Sequence, residues 1–231
     1  YAPIQGGGGG NYNYNSIFFF ENIGTATAMN FELHEEANHY GLTGFGSNSY
    51  ASPSFADIDG DGDLDAYVGG RASGGYYLGG GTQWLSFFEN EGTATDPSFA
   101  APVTNGHGAY SYYYRSKPAM VDLDGDGDYD IMIGGNDYFV FWDNQGTASA
   151  PNFTGYTYND FGLYTNYGRI SPEFVDIDND GDLDMFVGIN EHYGGGGPAV
   201  YRTNNLGGGG YVYGGIYYFE NIGTASAPNF S

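Results

Sequence analysis

Apolar positions in this chain fall into short runs broken by glycine and aspartate, and the runs recur. One set reads Leu64-Asp-Ala-Tyr-Val68, Tyr129-Asp-Ile-Met-Ile133 and Leu183-Asp-Met-Phe-Val187, ending at Gly69, Gly134 and Gly188. Short, partly β-branched runs of this kind predict strands buried on both faces. A second set, beginning at Ile17, Leu85, Phe139 and Ile216, is followed each time by Glu/Asp-Asn-x-Gly-Thr and by a Phe seven residues after the Gly. A third, Ser52-Pro-Ser-Phe55, Lys117-Pro-Ala-Met120 and Ser171-Pro-Glu-Phe174, places its last apolar residue two positions before an aspartate. Such recurrence within one chain is an internal repeat. The unit is strand A, an Asp-rich loop, strand B, a hairpin, strand C, an Asn-x-Gly turn, strand D and a linker.

This order predicts an all-β fold, a β-propeller of four-stranded antiparallel blades with the Asp-rich loop joining strands A and B. The whole chain, residues 1–231, is one propeller domain or a segment of a longer one, its units lying near 1–49 (partial), 50–115, 116–169 and 170–231. Four strand-C motifs against three Asp-rich loops make about three and a half blades. An open stack of blades exposes faces and edges, so missing sequence at both ends or end-to-end association of copies is expected. Insertions concentrate between strands B and C: the last loop aspartate lies 24, 13 and 36 residues before the strand-C acid in successive units. Glycine runs such as Gly79–Gly81, Gly194–Gly197 and Gly207–Gly210 fall there and read as surface loops. The glycine of each Asn-x-Gly is expected at positive φ.

The loops carry the chemistry. They read Asp57-Ile-Asp-Gly-Asp61-Gly-Asp63-Leu-Asp65, Asp122-Leu-Asp124-Gly-Asp126-Gly-Asp128-Tyr-Asp130 and Asp176-Ile-Asp178-Asn-Asp180-Gly-Asp182-Leu-Asp184. Five carboxylates in nine residues repel one another unless a cation sits among them, and dense hard oxygen donors suit Ca²⁺. Positions 1, 3 and 5 (Asp57, Asp59 and Asp61 in the first loop) lie on one side of a tight turn, with glycine at position 6 permitting it. The second half departs from an EF-hand, because position 12 is Val68, Ile133 or Val187 rather than Glu. Position 9 then supplies the fourth carboxylate, while Asp63, Asp128 and Asp182 bind through the main-chain carbonyl with side chains pointing outward. Three Ca²⁺ sites are expected.

The loop followed by a buried strand resembles the FG-GAP/VCBS repeat of integrin α-subunit propellers and many bacterial surface proteins. The resemblance runs through nearly the whole chain, and the three loops are its specific part. It implies an extracellular or cell-surface, non-catalytic module that is structural or adhesive; the open stack adds contacts with proteins or copies of itself, and with them a filament subunit. A glycan-binding, lectin-like propeller is the alternative, and the propeller of a polysaccharide-degrading enzyme a weaker third, since no carboxylate pair stands apart from the loops.

Composition narrows the partners. The net charge is −23, and the loops hold 15 of the 28 acids; three Ca²⁺ would leave −17. Five Lys and Arg residues argue against nucleic acid or an anionic membrane as partner. There is no cysteine, and no apolar run long enough to span a bilayer. The D–A linkers are rich in Tyr, Asn and Gly and make the candidate ligand face: Tyr50, Tyr112, Tyr113, Tyr114, Arg115, Tyr164, Tyr167 and Arg169. Tyrosine offers rigid area with a polar tip, suited to a sugar or a protein, though the same residues could simply fill space between blades. Asn152-Phe-Thr and Asn229-Phe-Ser match the N-glycosylation acceptor at one repeat position.

Overall fold

The computed structural model describes residues 17–34, 39–42, 50–70, 85–113, 115–135, 138–163, 169–190 and 214–231. Four antiparallel sheets follow one another along the chain. The first pairs β1 (Phe19–Asn22) with β2 (Phe31–His34). The second orders β3 (Ser52–Ala56), β4 (Asp65–Gly69), β5 (Leu85–Phe88) and β6 (Val103–Thr104) side by side. The third repeats this with β7 (Lys117–Val121), β8 (Asp130–Gly134), β9 (Phe139–Trp142) and β10 (Tyr156–Tyr158). The fourth has β11 (Ile170–Val175), β12 (Asp184–Asn190) and β13 (Gly214–Phe219). Strands A to D of the sequence reading thus appear in order. The A strands carry Pro53, Pro118 and Pro172, which an edge position tolerates because no ladder hydrogen bond is lost.

The sheets stack face to face, and the period of two along each strand assigns every side chain to one neighbour or the other. In β4, Ala66 and Val68 meet Phe88 and Ile17 on the side of the first sheet. Tyr67, between them, points the opposite way with Ile58 and Phe87, into a cluster with Ile131, Ile133, Val140, Trp142 and Phe153 of the third sheet. Met132 of β8 turns back toward Phe139, Phe141, Met185, Val187 and Phe230, joining the third sheet to the fourth. This explains strands that are apolar on both faces: β4, β5, β8 and β9 are buried throughout. The glycines closing strand B serve the same stacking. A Cβ on Gly69 would lie 2.0 Å from the Ser116 carbonyl, and one on Gly134 2.3 Å from that of Ile170.

Each C–D hairpin is clamped by its Asn. The Asn90 side-chain oxygen accepts from the N–H of Gly92 (3.1 Å) and of Ser98 (2.8 Å). Asn22, Asn144 and Asn221 repeat this within 0.1–0.2 Å. The expectation of positive φ at the following glycine is corrected: Gly24, Gly92, Gly146 and Gly223 are absent from the left-handed residues. Their requirement is steric, since a Cβ would come within 2.1–2.4 Å of the carbonyl four residues on.

Candidate metal loops and tyrosine face

Each Asp-rich loop is shaped by its own backbone. Gly62, Gly127 and Gly181 at position 6 take φ of 99°, 97° and 98°, a conformation open to glycine. One oxygen of the position-1 carboxylate accepts a loop N–H: Gly62 to Asp57 and Gly127 to Asp122, both 3.1 Å. In the third loop Asp180 donates to Asp176 at 3.2 Å. Position 3 accepts from the N–H of position 5, and position 5 from that of position 7, in all three loops. These bonds turn the remaining oxygens toward one another. Carboxylate oxygens of Asp57, Asp59 and Asp61 lie within 4.8 Å of one another, as do those of Asp122, Asp124 and Asp126 and those of Asp176, Asp178 and Asp180.

Position 9 starts strand B and ties the loop to strand C. The Asn90, Asn144 and Asn221 N–H groups donate to Asp65, Asp130 and Asp184 Oδ1 at 2.8, 2.9 and 2.9 Å. The loop and the C–D hairpin therefore share one asparagine. The second oxygens of Asp65 and Asp184 are buried without a hydrogen-bond partner, as is one oxygen each of Asp57 and Asp122. A buried carboxylate oxygen without a donor is costly, and a cation in the loop satisfies it. The residues present therefore fit a divalent cation.

The side chains at position 7 correct the sequence reading. Asp63 and Asp128 are buried rather than pointing outward, and Asp63, Asp128 and Asp182 each enclose an oxygen with no donor. Carboxylates at these positions are thus as available to a cation as their carbonyls. The second loop gains another acid: Asp143 comes within 4.8 Å of Asp124 and Asp130. Sequence reasoning missed it, although an acid precedes the hairpin asparagine in every copy (Glu21, Glu89, Asp143 and Glu220). Asp143 has the shorter side chain.

Three of the loop carboxyls hold protons unusually well. Burial, together with the neighbouring loop aspartates, pushes Asp65 up to about 7 from 3.8. Asp130 rises to about 7 and Asp128 to about 6 for the same reasons, desolvation leading in each. The Asn90 and Asn144 N–H groups work against the rise at Asp65 and Asp130.

The expected ligand face is divided by the structure. Tyr112 is exposed, while Tyr110 and Tyr113 also rest against the cluster between the second and third sheets. Around them runs a chain of ring contacts: Tyr112 to Tyr110 (4.9 Å), Tyr110 to Trp142 (4.9 Å), Trp142 to Tyr156 (4.9 Å), Tyr156 to Tyr158 (5.1 Å) and Tyr158 to Tyr138 (5.8 Å). Tyr138 and Tyr158 are exposed and were not among the sequence candidates. Tyr50, Arg115 and Arg169 precede the three A strands at one repeat position, all in left-handed backbone at φ 52°, 64° and 35°. The Arg115 guanidinium stacks 3.6 Å over the Tyr50 ring. Tyr114, Tyr164, Tyr167 and the glycine runs lie outside the described residues. Asn152 and Asn229 are both exposed at the C–D turn.

The linkers hold a repeat the sequence reading did not find: Tyr40-Gly41-Leu42, His107-Gly108-Ala109 and Phe161-Gly162-Leu163. Both residues of each aromatic–Gly pair take positive φ, and the following aliphatic is buried. The Tyr40, His107 and Phe161 carbonyls accept the N–H groups of Phe99, Phe153 and Phe230 in the next sheet, each at 2.8 Å. Part of this linker is therefore a staple between sheets. An aromatic residue followed by glycine and a small or branched aliphatic was the available signal.

Among the described residues no helix is long and apolar enough to cross a membrane. Residues 122–187, from the second Asp-rich loop through the third and into β12, match the family model of the FG-GAP-like repeat. No curated protein matches the chain. No solved structure matches it either.

Proposed function

We propose that this chain is a calcium-stabilised β-propeller segment, extracellular or at the cell surface, which acts as a non-catalytic structural or adhesive module through contacts with proteins or with copies of itself. The observation that carries the reading is the set of buried, donorless carboxylate oxygens on Asp57, Asp65, Asp122 and Asp184. Oxygen donors of this density and irregular geometry favour Ca²⁺ over the smaller, strictly octahedral Mg²⁺. Each ion would be held by positions 1, 3, 5 and 9, with position 7 contributing a carbonyl or carboxylate and Asp143 adding a donor at the second site. Bound there, Ca²⁺ neutralises the loop and ties strand A to strand B. Weak acidic loops of this kind fill where calcium is millimolar, which favours the outside of the cell.

Calorimetric titration of metal-free protein tests this directly. Three sites are expected, falling to two in Asp61→Asn/Asp65→Asn with the other two unaltered. A chain that takes up no Ca²⁺ at millimolar concentration overturns the reading.

The exposed rings of Tyr112, Tyr138 and Tyr158 favour a second reading, a glycan-binding face on the edge of the third sheet. On a glycan array, a hit lost in Tyr112→Ala/Tyr158→Ala with calcium uptake retained supports it; uniform silence of the parent chain refutes it.

A further inference from the structure

The interface between the second and third sheets and that between the third and fourth are built from the same repeat positions, and the outermost sheets hold the two halves of another. On the forward side, the residue after the first loop aspartate, the middle residue of strand B and the third residue of strand C form a socket. In the second sheet these are Ile58, Tyr67 and Phe87, and in the third Leu123, Met132 and Phe141, all buried. On the backward side, two strand-C residues and the Phe after the turn fill that socket. They are Val140, Trp142 and Phe153 in one interface and Tyr217, Phe219 and Phe230 in the other.

The fourth sheet carries the forward set as Ile177, Phe186 and Tyr218, with Ile177 56% and Tyr218 45% exposed. Its geometry is already that of a filled socket. The Phe186 and Tyr218 rings are 5.2 Å apart at 43°, against 5.1 Å and 46° for Tyr67 and Phe87, which Phe153 covers edge-on at 6.3 Å. The first sheet carries the backward set as Phe18, Phe20 and Phe31, with Phe20 55% and Phe31 59% exposed. Among the described residues both faces are open together and neither covers the other.

We infer that the Ile177, Phe186 and Tyr218 face docks the Phe18, Phe20 and Phe31 face of a second copy of this chain, so that copies add head to tail. The proposal rests on the self-association branch of the reading above, and the two internal interfaces supply its geometry. A contact between two different faces propagates unless its rotation closes a ring.

One position marks where the new interface differs. Gly60 and Gly125 sit at loop position 4, where a Cβ would lie 2.9 Å from the Ala148 carbonyl and 3.0 Å from that of Ala225 in the next sheet's turn. The third loop has Asn179 there, keeping the left-handed backbone at φ 63°. The incoming turn at Ala26 must therefore sit a few tenths of an ångström further out, and Asn179→Gly should let it in.

The same geometry gives a cross-link. A Cβ at Gly60 or Gly125 lies 3.7 Å from the Cα of Ser149 or Ser226. The corresponding pair is Asn179 with Thr27 of the second copy, within reach of a disulfide. The chain has no cysteine of its own, and both positions are exposed. Asn179→Cys and Thr27→Cys proteins, mixed and oxidised in about 2 mM Ca²⁺, should form a mixed dimer at least about tenfold above either variant alone. The double variant should form a ladder of multimers. Phe31→Ala in the Thr27→Cys protein should abolish the product, and sedimentation should show Asn179→Gly associating more tightly than the parent.

A double variant that yields only an internally bridged monomer would show ring closure and overturn the proposal. So would mixed dimers no more abundant than the homodimers. Calcium titration of the same proteins separates the two readings: intact Ca²⁺ uptake without cross-linking defeats head-to-tail docking alone.

Discussion

Chelation of calcium is the perturbation that tests the proposed sites most directly. Without it, each loop holds three carboxylate oxygens within 4.8 Å of one another. A pair of charges at that distance repels by about 1 kcal/mol where water screens them and ~3.5 kcal/mol at partial burial. Three pairs in each of three loops make a strain comparable with the whole stability of a domain. The linkage estimate is more conservative. With dissociation constants of about 10⁻⁴–10⁻³ M, typical of extracellular modules, about 2 mM free Ca²⁺ stabilises by roughly 0.6–1.8 kcal/mol per site. Three sites give about 2–5 kcal/mol, and for a chain of this size that shifts Tm by roughly 5–20 °C. Scanning calorimetry with and without excess chelator at pH 7.5 measures the shift. Near-UV circular dichroism would report the environment of Trp142, buried between the second and third sheets. Returning Ca²⁺ should restore the transition, and equimolar Mg²⁺ should not. Superimposable melts with and without chelator would refute the reasoning, because the buried oxygens would then need no cation.

The metal-free protein should respond to pH in an unusual sense. Asp65 and Asp130 titrate near 7 when folded, against 3.8 in a free chain, so the folded state holds protons that the unfolded state has released. Stability is then fully present below about pH 4 and lost as pH rises toward 7, by at most about 4 kcal/mol per group. Metal-free Tm should therefore fall between pH 5.5 and 7.5; a rise would count against carboxyls whose protons are held by burial. Loaded protein should show the reverse on acidification, because protons displace the ion. The repeat also offers a matched set of truncations. Ile58→Ala should cost about 2–4 kcal/mol, whereas Ile177→Ala, at the same repeat position but exposed, should change dilute-solution stability by no more than about 0.5 kcal/mol. Chemical denaturation compares them, and equal losses would mean that Ile177 is covered within the monomer.

Much of the fold was legible because each element carries its own mark. Apolar runs ending in Gly69 and Gly134 predicted strands buried on both faces, and the loop spacing located the A–B connection. The recurring Asn was visible as a turn, but its second task was not. Only the fold brings the Asn90 N–H to Asp65, 25 residues away in sequence, and makes hairpin and Asp-rich loop one unit. The same limit hid Asp143, whose partners Asp124 and Asp130 reach it across a strand pairing. The Asn-x-Gly glycines were assigned to the right place for the wrong reason, since a local rule about φ cannot anticipate a carbonyl arriving from four residues on. The aromatic–Gly–aliphatic staples escaped because their side chains differ (Tyr40, His107, Phe161) while the shared requirement is on the backbone. The tyrosine face was half legible: composition identified Tyr112 and Tyr113, but exposed Tyr138 and Tyr158 come from just before strand C and from strand D.

The proposed metal loops also feed the sheet stacking, and a bound cation would couple the two. The loop alternates carboxylates with a residue that leaves it: between Asp57 and Asp59, Ile58 turns away from the carboxylates and into the interface between the second and third sheets, and Leu123 does the same between the third and fourth. At the far end of each loop, Asp65 and Asp130 begin the strands whose next residues supply Tyr67, Ile131 and Met132 to the same clusters. A cation that fixes the loop therefore fixes the angle at which the apolar side chain reaches the following sheet. For the two internal interfaces the consequence is cooperative stability: chelation should loosen the stack as a whole rather than melt three loops separately. For the exposed Ile177 it means that the third loop, Asp176 to Asp184, sets the shape of the face offered to the next copy. Head-to-tail association should then follow calcium with the occupancy of that loop alone, and Asp180→Asn/Asp184→Asn should weaken it while the first two sites still bind.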